Sequence, residues 1–460
     1  MKSLFRVKTI ESIISGAKKT TLAKTMTAFD LVLFGIGCTI GTGIFVLTGI
    51  AAAEHAGPAI SLSYLLAGLV CIFTGLAYTE LAAALPVSGS CYTYCYAIFG
   101  EFIAWIIACA LLLEYTIGAS TVSAGWSGYF VGILKSGGIN IPESLTKSPA
   151  DGGIMNLPAS AIAILVGLML VRGTKGSVWV NRILVAVKLA IIFLFLIIAV
   201  PHIEMKNYAD FMPFGWSGVA VGSAAIFYAY VGFDSVSTAA EETKNPNRDL
   251  PIGMIGSLII CAILYIAVAL ALTGIVDYKE LNIAAPMAYA LQKNGSNLGS
   301  ALISTGAIAG MVAVLLVLIY GQSRIFFVMA RDGLLPKYFG AIHKKYDTPY
   351  ISCLLVSVTV AIVTGFVPLK TLSYLTSFGT LLTFIASIIG VVILRITRPD
   401  LKRPFKCPAL FIVAPIAILS CSYLSYKLLE EITVPILIWL GSSVAIYFLY
   451  AYKKSPMANK

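Results

Sequence analysis

The stretch GIGCTIGTGIF, residues 35–45, places four glycines inside an apolar run that extends from 31 to 53. A chain that crosses lipid is normally one unbroken helix, because each N–H or C=O group without a partner costs several kcal/mol there. Gly41, Thr42 and Gly43 form a poor helix interior, since each glycine costs about 1 kcal/mol relative to alanine. The stretch therefore predicts a membrane helix that is interrupted near its middle, which is tolerated where the free backbone lines a cavity.

Two other interpretations of these glycines compete with an interrupted helix. A phosphate-binding loop needs a preceding strand and usually a following Lys-Ser/Thr pair, and the sequence shows neither. Gly37 and Gly41 form a G-x-x-x-G pair, which would let two helices pack closely. This apolar run can both pack closely against another helix at these glycines and be interrupted near its middle, so both interpretations stay open.

The composition predicts a membrane protein. Hydrophobic residues make up 59% of the 460 residues and charged residues 12%, whereas soluble globular chains carry about 25% charged residues. Twelve apolar runs are long enough to cross the ~30 Å hydrocarbon layer, and we number them segments 1 to 12. They lie at 28–53, 60–83, 96–134, 155–171, 179–201, 215–240, 251–276, 298–330, 350–367, 371–396, 408–428 and 433–452. The expected fold class is an all-α polytopic membrane protein with twelve transmembrane helices.

Positive charge is distributed unevenly between the two sides of this expected bundle. With the N-terminus inside, 23 of the 32 Lys and Arg residues fall on the cytoplasmic side and seven on the outer side. Such asymmetry sets orientation in the membrane, so it explains the net charge of +11 without a nucleic-acid partner. We expect both termini in the cytoplasm, a basic cytoplasmic arm over 1–25 in place of a cleaved signal peptide, a core of segments 1 to 10 over 26–400, and segments 11 and 12 with a cytoplasmic tail over 401–460.

Cysteine and histidine usage gives no sign of catalysis or of a metal. The nine cysteines lie mostly in or beside apolar runs, where they act as small buried hydrophobes. Cys91 and Cys95 have a spacing that could suit a metal and fall in a predicted cytoplasmic loop, but His55, His202 and His343 are distant in sequence and lie in or beside loops. The sequence therefore predicts no disulfide framework, no metal site and no cofactor, and a protein that is not an enzyme.

A second interruption is predicted in segment 6. Its apolar residues run to Val231 and are followed by Gly232 and by Asp234, a carboxylate in a membrane segment. Such carboxylates are rare and are usually functional. Paired interruptions at matching places in two halves of a chain indicate the substrate site of a transporter. Because segments 1 and 6 begin five spans apart, the spacing suits a five-plus-five inverted repeat with segments 11 and 12 outside it.

Four motifs, spread over nearly the whole chain, allow a family comparison. They are GIGCTIGTGIF (35–45), AYTELAAALPVSGSCYTY (77–94), GFDSVSTAAEETKNPNRDLP (232–251) and GQSRIFFVMARDGLLP (321–336). Together and in this order they resemble the amino acid–polyamine–organocation (APC) superfamily, and within it the bacterial relatives of cationic amino acid transporters. The resemblance implies a LeuT-type fold, in which helices 1 and 6 are discontinuous around the substrate.

An interrupted helix offers what the zwitterion of an amino acid needs. Free N–H groups at the start of a half-helix attract anions, and freed carbonyls at the end of the preceding half accept N–H groups. By resemblance, Tyr228 falls where the family places an aromatic gate, although ordinary packing also explains it. The predicted substrate site consists of Ile40, Gly41, Thr42, Gly43, Ile44, Phe227, Tyr228, Tyr230 and Asp234, with the carboxylate at the backbone of Thr42, Gly43 and Ile44 and the ammonium at carbonyls near Ile40, Phe227 and Tyr230.

Three ionisable residues within segments are candidates for coupling or recognition. Glu114 lies deep in segment 3, and Asp234 could instead cap the second half of segment 6 or face cytoplasmic water. Lys188 lies about ten residues inside segment 5, which is farther from water than its side chain can reach. Burial disfavours a charged lysine, which suits a proton switch. The resemblance implies that Lys188 couples transport to protons from a place between segments 1 and 8, and Glu114 is the next candidate.

These features predict a secondary active transporter in the cell membrane that imports amino acids, with proton symport favoured and broad neutral or cationic L-amino acids as substrates. The alternative is an exchanger of amino acids or polyamines without net proton coupling. Glu114 or Asp234 could bind a cationic side chain, whereas an apolar wall near Leu315 and Leu316 favours neutral ones. The expected partners are the amino acid, the proton and the bilayer; a small membrane partner is left open. An ion channel fits less well, because it would need a pore lined by charge.

Overall fold

The computed structural model describes residues 6–7, 24–86, 90–172, 178–343, 346 and 348–454. Most of the predicted arm (1–5 and 8–23) and the end of the tail (455–460) lie outside the described residues. In the described part every regular element is helical, apart from an isolated β-bridge between Met26 and Thr243. The predicted all-α class is confirmed for these residues.

Thirteen α-helices of eight residues or more make up the described part. They are α1 Ala28–Thr39, α2 Ile60–Ala84, α3 Ser90–Ile98, α4 Glu101–Ser136, α5 Leu157–Val171, α6 Val178–Ala199, α7 Gly215–Ile226, α8 Pro246–Ile275, α9 Pro286–Lys293, α10 Asn297–Arg331, α11 Tyr350–Phe366, α12 Leu369–Thr397 and α13 Leu410–Ile446. Shorter π-helical and 3-10 stretches continue segments 1 and 6, and these are described with the site below.

Eight helical stretches of the described part are long and apolar enough to cross a membrane. They are Gly43–Ala84, Glu101–Ser136, Arg182–His202, Gly215–Ala240, Pro246–Ile275, Asn297–Arg331, Leu369–Thr397 and Leu410–Lys454. Three shorter apolar helices, α1, α5 and α11, accompany them. The chain is therefore a multi-pass membrane protein.

The first helix begins at a capping box. The Thr27 hydroxyl accepts the backbone N–H of Asp30 at 3.4 Å, and the Asp30 carboxylate accepts the backbone N–H of Thr27 at 3.0 Å. This reciprocal pair satisfies two N–H groups that the first turn leaves free. The same carboxylate, which is buried, lies 2.6 Å from the guanidinium of Arg182 on α6. The start of α1 is thus fixed both locally and to the helix that carries Lys188.

The prediction of two separate helices for segments 11 and 12 is wrong, because α13 runs without a break through the residues between them. Residues 429–432 read Leu-Glu-Glu-Ile, all of which are compatible with a helix, and no glycine interrupts them. Pro435 lies inside the helix, where a proline produces a kink. A straight helix of 37 residues would be about 55 Å long, which exceeds the hydrocarbon thickness.

Contacts along α13 show that its path goes out and returns. Just before it, the backbone N–H of Cys407 donates to Glu80 at 2.7 Å, at the end of the bundle where α12 also ends. In its middle, Glu431 lies 3.8 Å from the lysine in the first turn of α12, at the opposite end. Just after it, the Tyr447 hydroxyl bonds Glu101, where α4 begins, at 3.3 Å. The end of α2, with Glu80, and the start of α4, with Glu101, lie at the same end of the bundle, because only the short α3 joins them. The chain therefore returns to the end of the bundle at which α13 begins.

The short helix α3 differs from the predicted loop after segment 2. It carries Cys91 and Cys95, whose sulfur atoms are 3.7 Å apart and buried, and the Cys91 thiol lies 2.9 Å from the Ser387 hydroxyl. Segment 3 accordingly begins at Glu101, later than predicted. Tertiary packing against α12 explains the difference, because it supplies a partner that the local sequence does not reveal.

The long helix α4 lies at the centre of the bundle and packs against α10 and α12. On the other side of the site, α8 packs against α1 and α2, while α6 contacts both α1 and α10. The interruptions of segments 1 and 6 face each other between these two groups of helices.

Candidate functional site

Segment 1 is interrupted at Ile40. The helix α1 ends at Thr39, and Ile40 adopts an extended conformation (φ −74°, ψ 103°). A π-helical turn then begins at Gly43 and runs to Leu47. The first N–H groups of a helix generally lack partners within it, although that of Phe45 donates to the Gly41 carbonyl at 3.4 Å. Segment 1 is thus divided into two halves at the predicted place.

Segment 6 is interrupted at Val231 and Gly232. A 3-10 turn, Phe227–Tyr230, precedes an extended Val231, and a second 3-10 stretch covers Phe233–Glu242. Gly232 has φ +124°, a conformation that side chains rarely adopt. A β-carbon at Gly232 would lie 2.8 Å from the carbonyl carbon of Cys38, so glycine also permits contact with the backbone of α1. Both predicted interruptions are therefore present and in contact.

The two interruptions touch a second time through Gly43. A β-carbon at Gly43 would lie 2.5 Å from the Cα of Ala229 in segment 6. A larger residue at Gly43 would meet this backbone, so Gly43 is required for the packing of the two interruptions and does not only line the cavity.

A small enclosed cavity lies between the interruptions. The space open to the centre of a water molecule is about 20 Å³, roughly enough for one water, so any larger ligand requires the lining helices to move apart. Six of the predicted site residues line the cavity: Gly41, Thr42, Gly43, Glu114, Tyr228 and Asp234. The remaining lining residues are Cys38, Thr39, Tyr115, Val231, Gly232, Ser235, Val314, Val317 and Leu318.

Four predicted substrate residues do not line the cavity. The carbonyl oxygen of Ile40 accepts a hydrogen bond from Lys188, and that of Ile44 accepts one from the Thr48 hydroxyl at 2.9 Å. Phe227 is fully buried, and the buried Tyr230 donates its hydroxyl to the Tyr64 carbonyl at 2.8 Å. In this conformation these side chains belong to the core around the cavity.

Lys188 reaches the interruption from α6. Its ammonium donates to the carbonyl oxygens of Gly37 at 2.6 Å and Ile40 at 3.0 Å, the last carbonyls of α1. A β-carbon at Gly310 of α10 would lie 3.2 Å from its side chain, so the side chain runs between segment 1 and segment 8. A cation at the C-terminal end of a helix is favourable because the carbonyl dipoles point towards it. The residue is buried, as predicted, and faces the bundle interior.

The two carboxylates that line the cavity come from different helical elements. Glu114 on α4 accepts a hydrogen bond from Thr383 of α12 at 3.4 Å. Asp234 accepts the backbone N–H of Gly232, just before its own 3-10 stretch, at 3.3 Å, and it also lines the cavity. Both are buried, and the alternative in which Asp234 faces cytoplasmic water does not hold in this conformation.

The aromatic and apolar walls complete the cavity. Tyr228 donates its hydroxyl to the Gly118 carbonyl of α4 at 3.2 Å, which places its ring between segment 6 and α4. The apolar wall comes from α10, as predicted, but through Val314, Val317 and Leu318. The predicted Leu315 and Leu316 are absent from the lining, because the helix turns them away.

Sequence reasoning missed Tyr265 of α8. Its buried hydroxyl lies 3.0 Å from the Thr39 carbonyl and 2.9 Å from the Ala229 carbonyl, so its single O–H is shared between one carbonyl of each interruption. The available signal was a tyrosine deep in an apolar segment, since a buried hydroxyl needs a partner. Tyr115 and Thr39, which line the cavity, were missed as well.

The cavity is lined by backbone of both interruptions and by two carboxylates, and the Lys188 ammonium lies behind the first interruption on the carbonyls of Gly37 and Ile40. Among the described residues, no cluster of three or more His, Cys, Asp and Glu side chains could hold a metal ion. The arrangement is suited to bind and release a small polar ligand.

Comparison with known proteins assigns the family. The amino acid permease family model matches residues 26–452. The chain is 42% identical to the methylthioribose transporter of Bacillus subtilis over 100% of both chains, and 42% identical to the branched-chain amino acid permease BcaP of the same organism over 99% of both. It is 34% identical to cationic amino acid transporter 1 of Arabidopsis thaliana, over 95% of this chain and 74% of the relative. The chain belongs to the amino acid permease family of the APC superfamily, whose members named here are transporters and not enzymes.

Proposed function

We propose that this permease imports amino acids across the cell membrane by proton symport, with broad neutral or cationic L-amino acids as substrates. The fold proposed for it is LeuT-type: twelve spans, a five-plus-five inverted repeat and both termini in the cytoplasm. An exchanger of amino acids or polyamines without net proton coupling is the alternative.

The twelve-span topology draws support from three features. The half-helix α1 and the stretch from Gly43 together cross as one interrupted span. The apolar α5 and α11 add two short spans. The out-and-return path of α13 gives two spans from one continuous helix. These features do not bear on whether a small membrane protein accompanies the chain.

Substrate binding is proposed at the facing interruptions. The N–H groups that begin the second half of segment 1 would hold the carboxylate, and freed carbonyls of both segments would hold the ammonium. Val314, Val317 and Leu318 suit an aliphatic side chain, whereas Glu114 and Asp234 suit a cationic one. Relatives named for branched-chain and for cationic amino acids agree with a broad range. One relative named for methylthioribose makes that sugar a compound to test as well.

Proton coupling rests on one observation, the contact of the Lys188 ammonium with the last carbonyls of α1. In its charged form Lys188 holds the first half of segment 1 against α6. When it loses the proton, the neutral amine can still donate to both carbonyls, but the two hydrogen bonds are no longer charge-assisted and become weaker, and the half-helix is freer to move. Binding and release of a proton would thereby change how firmly the site is closed.

The test is uptake by the purified protein in liposomes, with a panel of radiolabelled amino acids and methylthioribose. We expect accumulation when the exterior is acidic and little when the two sides have equal pH. Lys188→Ala should lose the gradient-driven component. Lys188→Arg should lose it too, because an arginine does not deprotonate in proteins.

The matched control is Lys147→Arg at an exposed lysine, which should behave like the wild type. If Lys188→Arg still accumulates substrate against its gradient, Lys188 is structural and Glu114 becomes the coupling candidate. Uptake that needs substrate inside the liposome and ignores the pH difference would favour the exchanger.

A further inference from the structure

A positively charged depression lies at the end of the bundle where α1 begins. It measures about 670 Å³ and is lined by Lys24, Lys244, Asn245, Pro246, Asn247 and Arg248. Its lining holds three cations, two amides and no carboxylate. Within the described part, none of the three cations has a carboxylate at ion-pair distance. We call this site the basic depression; its composition matches an anion with several oxygen acceptors.

Two separate stretches of chain bring these cations together. Lys24 precedes α1, and Lys244 follows the second half of segment 6. The β-bridge joins them: the Met26 N–H donates to the Glu242 carbonyl at 3.0 Å, and the Lys244 N–H donates to the Met26 carbonyl at 2.9 Å. An anion in the basic depression would contact both sides of this bridge.

The helix α8 adds to the positive potential. It begins at Pro246 and is 30 residues long, so the positive end of its dipole lies beside the depression. Arg248 is exposed within its first turn, whereas Asp249 is buried. Neither Asp249 nor the nearby Glu242 belongs to the lining.

Exposed apolar side chains follow the lining residues along the chain, in the first two turns of α1 and α8. Phe29 of α1 is 64% exposed and Ile252 of α8 is 42% exposed. Ile252 follows Arg248 by four residues and therefore lies on the same helix face. The helices α1 and α8 run side by side here, since a β-carbon at Gly256 would lie 3.2 Å from Val32. On α8, an exposed cation is thus followed by an exposed apolar side chain on the same helix face.

We propose that the basic depression binds the phosphate headgroup of an anionic membrane lipid, whose acyl chain lies along Phe29 and Ile252. The bound headgroup joins the strand before α1 to the end of segment 6 and so strengthens the β-bridge between the two half-helices. The apolar surface next to the cations favours a lipid over free phosphate. The inference requires only that the chain lies in a bilayer, and it does not depend on the transport proposed above.

The test uses the full-length protein in neutral detergent, titrated with phosphatidylglycerol, phosphatidylcholine or inorganic phosphate. Lipid retention is read by native mass spectrometry and stability by the apparent melting temperature. We expect phosphatidylglycerol to be retained and to raise the melting temperature more than phosphatidylcholine. The double variant Lys244→Gln/Arg248→Gln should bind it roughly 30-fold more weakly, at about 1 kcal/mol for each cation removed.

The control is Lys337→Gln/Lys402→Gln, which removes two other lysines that are exposed in the described part. It should keep wild-type retention of phosphatidylglycerol. Unchanged binding by the Lys244/Arg248 variant, or an equal loss in the control, would overturn the site. Protection by inorganic phosphate that equals that of phosphatidylglycerol would overturn the lipid as its occupant.

Discussion

At the scale of single residues, Gly232 is required for two reasons: its backbone conformation and its close contact with α1. Its φ of +124° excludes most side chains, and the backbone of Cys38 leaves no room for one. The interruption of segment 6 therefore depends on this glycine for its shape and for its contact with α1.

Gly232→Ala should lower the apparent melting temperature and ligand binding, because backbone strain and overlap together cost on the order of 2 kcal/mol or more. The measurement is thermal unfolding of the purified protein in detergent, followed by size-exclusion chromatography. Gly132→Ala is the matched control, since no atom lies within 4 Å of its added methyl group on α4. Equal melting temperatures for the two variants would show that the interruption adapts to a side chain.

At the scale of elements, the two interruptions are held together by Tyr265 as well as by their glycines. Its hydroxyl lies between a carbonyl of α1 and a carbonyl of segment 6. Helices that are interrupted at the same depth need such a partner, because lipid supplies none.

Tyr265→Phe should reduce substrate affinity about tenfold, since a buried carbonyl without a donor costs about 1–3 kcal/mol. The concentration dependence of liposome uptake measures this effect. Tyr208→Phe removes a hydroxyl that bonds Leu270 in a more exposed place, and it should leave uptake unchanged. If both variants transport like the wild type, the carbonyls find other partners and Tyr265 only fills space.

Local sequence was sufficient to predict the interruptions, because glycines and a carboxylate in an apolar run are visible without a structure. It could not predict which residues touch across them. The contact of Gly43 with Ala229 joins positions far apart in the chain, and the helical phase of α10 decides that Val314 and not Leu315 faces the cavity. The same limit explains α3, whose burial against α12 leaves no local signal.

At the scale of the whole molecule, the apolar runs predicted the positions of helices closely wherever turn residues separate one helix from the next. The run 298–330 corresponds to Asn297–Arg331 and the run 350–367 to Tyr350–Phe366. The predicted boundary between segments 11 and 12 was wrong, because residues 429–432 continue the helical stretch and form no loop. The unequal distribution of Lys and Arg between the two sides predicts how the protein is oriented in the membrane. The arrangement of the helices alone does not predict this orientation.

Orientation can be tested by labelling intact cells with an impermeant lysine reagent. We expect Lys147, which is exposed next to α5, to react, and Lys402, between α12 and α13, to stay unlabelled until the cells are lysed. The reason is the excess of Lys and Arg on the side that carries Lys402. Labelling of Lys402 in intact cells would reverse the proposed topology.

The contact of Lys188 with carbonyls also has an electrical consequence. Within the described part no carboxylate lies at ion-pair distance from its ammonium, so its charge has no counter-ion that moves with it. Each elementary charge moved across the membrane is worth about 2.3 kcal/mol per 100 mV. If Lys188 carries the coupled proton, each imported neutral amino acid adds one net positive charge to the cell. Voltage and the pH difference would then act on the same side chain, and a depolarised cell would import less at an unchanged pH difference.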